Sequence, residues 1–239
     1  LNLKVIIAKK FYKSQIDERL ILENKSNFIT DYERSKIFEK LSSNDYEIVI
    51  FDDGLQDKNL DYDLKIVCFD SDTWIGNGCL IPSGPLREKL ESLKKYDAVF
   101  IKNINKPKKE VIEYIEKNYQ HIKVFNTILN LKNLEKINLK KKYLIFSGIG
   151  NPSSFKNLLN KYNLNIAKEI VFPDHYNYTT KDLKNLISEA DKLGAKIITT
   201  EKDFVKIPIK YQNHITSVEI NLDLLEKDNF INLLRSKRI

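Results

Sequence analysis

The chain has 239 residues, 42% hydrophobic and 31% charged, with no low-complexity tract and no acidic or basic tail. That composition supports a buried core and excludes a disordered chain. Cys68 and Cys79 are too few for a disulfide framework, stand in no metal-ligand spacing and imply a reducing compartment. No apolar run approaches the roughly 20 residues that a membrane-spanning helix needs, so a cytoplasmic protein, at most peripheral to a membrane, is expected. The formal charge of +7 implies an anionic partner: a phosphorylated substrate, an anionic membrane surface or nucleic acid. Lysine runs such as Lys106-Pro107-Lys108-Lys109 and Lys140-Lys141-Lys142 read as solvated surface. No nucleic-acid motif accompanies them, so nucleic acid is not expected as a partner, and no obligate protein partner is evident.

In chain order, short β-branched runs at Lys4–Ile7, Glu47–Phe51, Leu64–Cys68 and Ala98–Ile101 predict strands, and Asp31–Leu41 and Lys108–Asn118 carry helical spacing. Continuous apolar strands alternating with helices predict an α/β architecture, a parallel sheet with helices on both faces. A Lys- and Asn-rich stretch of weak periodicity then suggests a linker over 131–142, between an N-terminal domain, 1–130, and a smaller α/β domain, 143–239. The second half opens on a strand at Tyr143–Phe146 and a helix entered at Pro152, whose Phe155, Leu158, Leu159 and Tyr162 share one face. Thr179 and Asp182 are spaced as a capping box for a helix that Gly194 stops, and Lys196–Thr200 reads as a buried strand.

The sharpest chemical signal is Ile48-Val49-Ile50-Phe51-Asp52-Asp53-Gly54, a strand that delivers two carboxylates to its C-terminal end. Ligands of open α/β sheets bind at that end, and a carboxylate there can hold a Mg²⁺ bound to nucleotide phosphates. Neighbouring strand residues face opposite ways, so the two Asp serve different roles. In isolation, Asp-Asp-Gly is also ordinary turn chemistry. Phe172-Pro173-Asp174-His175-Tyr176 places a histidine in a loop before the capped helix, a position where a lone histidine is usually only solvated. Gly76-Asn77-Gly78 and Gly148-Ile149-Gly150-Asn151-Pro152 could approach phosphate, but no Gly-Lys-Ser/Thr loop occurs in the chain, and the second reads better as a tight strand-to-helix turn.

Taken in order, Asp52-Asp53-Gly54-Leu55-Gln56, Tyr62-Asp63-Leu64, Gly76-Asn77-Gly78 with Leu80 to Glu88, Gly148 to Pro152, Phe172 to Tyr176 and Thr199-Thr200-Glu201-Lys202-Asp203 resemble the motifs of the tetraacyldisaccharide 4′-kinases. The resemblance implies a P-loop-kinase-like fold with a second α/β domain, ATP and Mg²⁺ as cofactors, and a lipid disaccharide substrate. The reaction implied is phosphorylation of the 4′-hydroxyl of the tetraacyldisaccharide 1-phosphate precursor of lipid A, giving lipid IVA. The setting implied is the cytoplasmic face of the inner membrane of a Gram-negative bacterium. Asp17-Glu18 resembles the family's Gly-Asp-Glu-Pro, with Ile16 and Arg19 in place of Gly and Pro. Asp17 is then the general base, His175 its dyad partner and Asp53 a further catalytic carboxylate. Asp52 takes the metal and, with Gln56, the nucleotide; Asn77, Arg87 and Glu88 take the substrate. Closure over the disaccharide is a further expectation, because Asp17 and His175 fall in different predicted domains.

Two departures stand out. Asp57 occupies the position after Gln56 where the family has His. The phosphate-binding loop and the membrane-associating helix that precede the Asp-Glu motif in the family have no counterpart before Asp17, and with Leu1 first and no Met in the chain, a fragment is expected. The alternative reading is a non-catalytic module that binds an anionic lipid or sugar on the same scaffold. Without the loop's amides and lysine the β- and γ-phosphates lack their cradle, so the 239-residue chain by itself should transfer no phosphate from labelled ATP to the lipid disaccharide. Lipid phosphorylation above background would refute that expectation.

Overall fold

The computed structural model describes residues 3–12, 16–41 and 45–237. The elements run β1 (Val5–Lys10), α1 (Ile16–Lys25), β2 (Phe28–Asp31), α2 (Arg34–Leu41), β3 (Ile48–Asp52), β4 (Ile66–Asp70), β5 (Ala98–Asn103), α3 (Lys109–Asn118), β6 (Lys123–Leu131), β7 (Lys142–Ser147), α4 (Pro152–Lys161), β8 (Asn165–Val171), α5 (Thr180–Leu193), β9 (Ala195–Thr200), α6 (Glu201–Phe204), α7 (Ile209–Gln212), β10 (Ile215–Val218), β11 (Ile220–Leu224) and α8 (Lys227–Ser236). The fold class is α/β, as expected. The strands form three sheets, ordered β2-β1-β3, β10-β9-β7-β8 and β11-β6-β5-β4. Pairing is parallel along β2-β1-β3, β10-β9-β7-β8 and β6-β5-β4.

Contacts gather the chain into two compact units, one of 1–60 with 131–219, the other of 61–130 with 220–239. The sequence reading drew consecutive stretches, 1–130 and 143–239. Contacts also cut the chain at 130, but they group its first sixty residues with the second half. Linear reading misses such a grouping because composition changes along the chain, whereas packing joins segments distant in it.

In the first unit β1 lies between β2 and β3, with Lys9 opposite both Thr30 and Asp52. The expected strand at Lys4–Ile7 extends to Lys10: Ala8 is fully buried and the backbone pairing with β3 continues past it, so polarity did not end the strand. The expected helix from Asp31 starts at Arg34 instead, because Phe28–Asp31 pairs with β1. Ile6, Ala8, Ile37 and Leu41 close the core beneath this sheet. The larger core of the unit is built by Leu144 and Phe146 of β7, Leu183, Leu186 and Ala190 of α5, and Ile197 of β9.

The local signals of the second half are realised. Pro152 opens α4, and Asn151 caps it by accepting from the Ser154 amide. Thr179 and Asp182 form a reciprocal capping box at the start of α5, and Gly194 ends it in the left-handed region. In the other unit Val99, Ile101, Val111, Ile115 and Tyr119 form a core that Phe69 and Trp74 extend.

Because Leu183 is fully buried within the β7–α5–β9 core, Leu183→Ala should cost about 2–5 kcal/mol, whereas Thr179→Ala should cost only about 1 kcal/mol by removing one cap. Urea unfolding of both variants checks the order. Equal losses would show that burial does not dominate this core.

Candidate functional site

The site of the first unit grows from the C-terminal ends of β1 and β3 and the first turn of α1. Asp17 is the buried face of α1's first turn, only 2% exposed. A carboxylate so far from water needs partners. Both of its oxygens lie 3.1 Å from Nδ1 of His175, which donates to them. On another side the Lys206 ammonium stands 3.5 Å from Asp17 and 3.0 Å from Asp203, ion pairs by distance whose angles are not those of hydrogen bonds. The two residues that the sequence reading set in different domains thus belong to one compact unit and touch.

His175 reaches Asp17 because its loop is seated on the glycine turn after β7. The His175 amide donates to the Gly148 carbonyl at 3.1 Å, and a Cβ at Gly148 would stand 3.0 Å from the Pro173 carbonyl and 3.2 Å from Asp203. The Gly148–Pro152 segment is a tight turn whose lack of a side chain admits the histidine loop. Asp203, fully buried, accepts from the Gly148 amide at 3.0 Å and from the Tyr178 hydroxyl at 2.8 Å. Burial first, and then the Asp203 charge, push the Tyr178 phenol far above its usual range.

A second cluster adjoins this one. Lys9, buried at the end of β1, donates to Glu18 of α1 and, at 2.6 Å, to Asp52 at the end of β3. Burial opposes the charge on Lys9, but the bonds to Asp52 and Glu18 outweigh it and hold the ammonium above its ordinary value. Burial likewise works against the Glu18 carboxylate, and its bonds to Lys9 and Lys202 overcome it, so its pKa is lowered. Lys202 stands 3.1 Å from Glu18.

Asp53 follows in a left-handed conformation, φ 55, which a residue with a Cβ adopts only when held. The guanidinium of buried Arg34 donates to the Asp53 carbonyl and, at 3.3 Å, to the Asp57 carboxylate. Asp57 also accepts from the Asn59 amide, and that bond, with the Arg34 pair, lowers its pKa against the opposing desolvation. Asp57 therefore binds Arg34. Asp53 and Gln56 are exposed. His175, at φ 56, is also a left-handed residue with a side chain.

Asn77, Arg87 and Glu88 belong to the other unit. Asn77 spans its loop, donating to the Ser83 carbonyl at 2.8 Å and accepting from the Cys79 amide at 3.1 Å. Glu88 accepts from the Tyr96 hydroxyl at 3.0 Å; burial and then that carboxylate push the phenol up to about 12. Arg87 is exposed. The sequence reading missed Lys9, Arg34, Lys206 and the structural part of Asp203.

Comparison with known proteins bears on this arrangement. The family model described as tetraacyldisaccharide-1-P 4′-kinase matches residues 9–238. The chain belongs to that family. A tetraacyldisaccharide 4′-kinase of Pelagibacter ubique is 37% identical over 98% of the chain and 74% of that relative, and one of Rickettsia africae is 36% identical over 89% of the chain and 64% of that relative. A crystal structure of LpxK from Aquifex aeolicus in complex with ATP, 18% identical, aligns with 99% of this chain and 79% of that one at a TM-score of 0.69, which shows a shared fold.

A family of kinases raises the question of Mg²⁺. Among the described residues no group of three or more His, Cys, Asp or Glu side chains is arranged to hold a metal by itself. Asp52, 45% exposed at a strand end, suits instead a Mg²⁺ that brings its other ligands as nucleotide phosphates and water.

The lowered Glu18 carboxyl gives stability that is present above its ordinary value of 4.5 and is lost as pH falls through the folded value. Glu18→Gln should therefore lower stability at neutral pH and flatten its decline between about pH 5 and pH 3. Urea unfolding at stepped pH reads both effects; an unchanged acid limb would show that the Lys9–Glu18 bond contributes nothing.

Proposed function

We propose that this chain forms the body of an ATP-dependent kinase that phosphorylates the 4′-hydroxyl of the tetraacyldisaccharide 1-phosphate precursor of lipid A, giving lipid IVA. The observation that carries the reading is the buried Asp17 carboxylate held on both oxygens by His175, in a chain of this family. A sugar hydroxyl is a poor nucleophile, and phosphoryl transfer depends on positioning and charge neutralisation. Asp17 takes the hydroxyl proton as transfer proceeds, and the Nδ1–H of His175 holds that carboxylate in place and stabilises its charge until then.

Asp52 would hold Mg²⁺, which when bound neutralises the phosphate charge that builds during transfer. Asp53, exposed one residue beyond, faces the transferring group, and Gln56 contacts the nucleotide. Asn77, Arg87 and Glu88 are assigned to the lipid disaccharide. The relative solved with ATP supports the donor. A formal charge of +7 favours an anionic membrane surface, and among the described residues no helix is long and apolar enough to cross a membrane. Peripheral attachment to the cytoplasmic face of a Gram-negative inner membrane fits both observations.

In the full-length protein, Asp17→Asn and His175→Ala should each lower kcat by about 100-fold or more while leaving the KM for ATP nearly unchanged. Asp52→Asn should raise the Mg²⁺ concentration needed for half-maximal rate. Steady-state transfer of labelled phosphate to the lipid disaccharide measures all three, and a wild-type rate from Asp17→Asn would remove Asp17 as the base.

A further inference from the structure

His175 Nε2 points away from Asp17, towards α6. There the Lys202 ammonium lies 3.4 Å from it, 3.1 Å from Glu18 and 3.5 Å from Asp174. An ammonium has three protons to donate and no lone pair, and three acceptors surround this one. Two of them would otherwise bear on the imidazole: Glu18 stands 4.0 Å and Asp174 3.9 Å from Nε2, within ion-pair reach. Three carboxylates thus border one histidine, with Asp17 at Nδ1. Lys206, on the far side of Asp17, serves that carboxylate and Asp203.

We infer that Lys202 is a positioning residue for His175: its ammonium engages Nε2 together with Glu18 and Asp174, and so leaves the imidazole neutral, with its single proton on Nδ1 aimed at Asp17. An imidazolium would put an N–H against the ammonium, leave one lysine proton without an acceptor and set two positive charges 3.4 Å apart. The neutral ring satisfies every group: Nδ1–H donates to Asp17, Nε2 accepts from Lys202, and the other two lysine protons go to the carboxylates. Glu18 is shared with Lys9, so the group that fixes the histidine also ties it to the Lys9–Asp52 pair. The inference deepens the proposed kinase reading and rests on it only for its kinetic consequence: a neutral ring donates to Asp17 without first neutralising it through an ion pair, and the base stays available to the hydroxyl proton.

The test reads the ring directly. In the 239-residue chain labelled with ¹⁵N-histidine, His121 and His214 are assigned by His121→Gln and His214→Gln, and long-range ¹H–¹⁵N spectra are recorded at about pH 7.5, roughly one pH unit above the ordinary imidazole value. The wild-type His175 should show a proton on Nδ1 and none on Nε2. Lys202→Met should place a proton on Nε2, because Asp174, and Glu18 shared then only with Lys9, face it without the Lys202 ammonium between them, and Lys202→Arg should restore the neutral ring. A doubly protonated ring or an Nε2–H tautomer in the wild type overturns the inference, as does a Lys202→Met spectrum identical to wild type. If Lys202→Met does not fold, Lys202→Leu is read in the same way, since it too removes both the charge and the donor. In the full-length kinase, Lys202→Met should lower kcat about tenfold or more at unchanged KM. The expected spectra with an unaltered kcat would leave the tautomer assignment standing and remove the dyad from the proposed mechanism.

Discussion

The site of this chain depends on one buried carboxylate. Asp17 sits at 2% exposure, where an unpaired charge would cost several kcal/mol, and each of its partners in turn needs support. His175 is held by the Gly148 carbonyl, Lys206 by Asp203, and Asp203 by the Gly148 amide, the Tyr178 hydroxyl and Thr200. A single path of contacts therefore runs from the first turn of α1 to the ends of β7 and β9. The buried charge of the first sixty residues thus meets its partners in the second half of the chain, within the same unit. Removing one partner of such a network costs more than the contact itself, since it leaves another charge in low dielectric without an opposite.

Left-handed residues with side chains occur at the site and, at Trp74 (φ 44), in the other unit. Asp53 and His175 are residues with side chains in the left-handed region, and each is held by bonds to its own backbone: Arg34 on the Asp53 carbonyl, the Gly148 carbonyl on the His175 amide. Asn163, in the same region, is an ordinary helix-end residue. Conformations of this kind persist where the surrounding structure over-determines them. In both cases the strained residue is the one whose side chain must leave the regular line of its strand or loop.

What the sequence could convey follows from range. Signals carried by neighbouring residues were readable: the Thr179–Asp182 cap, the Gly194 stop, the Pro152 start and the β3 strand with its terminal carboxylates. Strand ends were not, because Lys9-Lys10 and Asp70 are polar and continue their strands through pairing with a neighbouring strand. The contact between Asp17 and His175 could be expected from family motifs 158 residues apart, but no local pattern encodes it. Lys9, Lys206 and Arg34 were invisible because a buried cation looks in sequence like any other of the forty lysines and arginines. Only its placement opposite a carboxylate distinguishes it.

The departure at Asp57 becomes intelligible on the same terms. The Asp57 carboxylate adds negative charge beside Asp52 and Asp53, and Arg34 offsets it and, through the same guanidinium, holds the Asp53 carbonyl. Among the described residues, the ion pairs of this site still set six carboxylates, Asp17, Glu18, Asp52, Asp57, Asp174 and Asp203, against four cations, Lys9, Arg34, Lys202 and Lys206. A region with that balance repels a bare polyphosphate and accepts one that arrives with a divalent cation. In the proposed kinase the surplus has a use. Asp52, which accepts from Lys9 at 2.6 Å, would hold a Mg²⁺ whose charge would offset it.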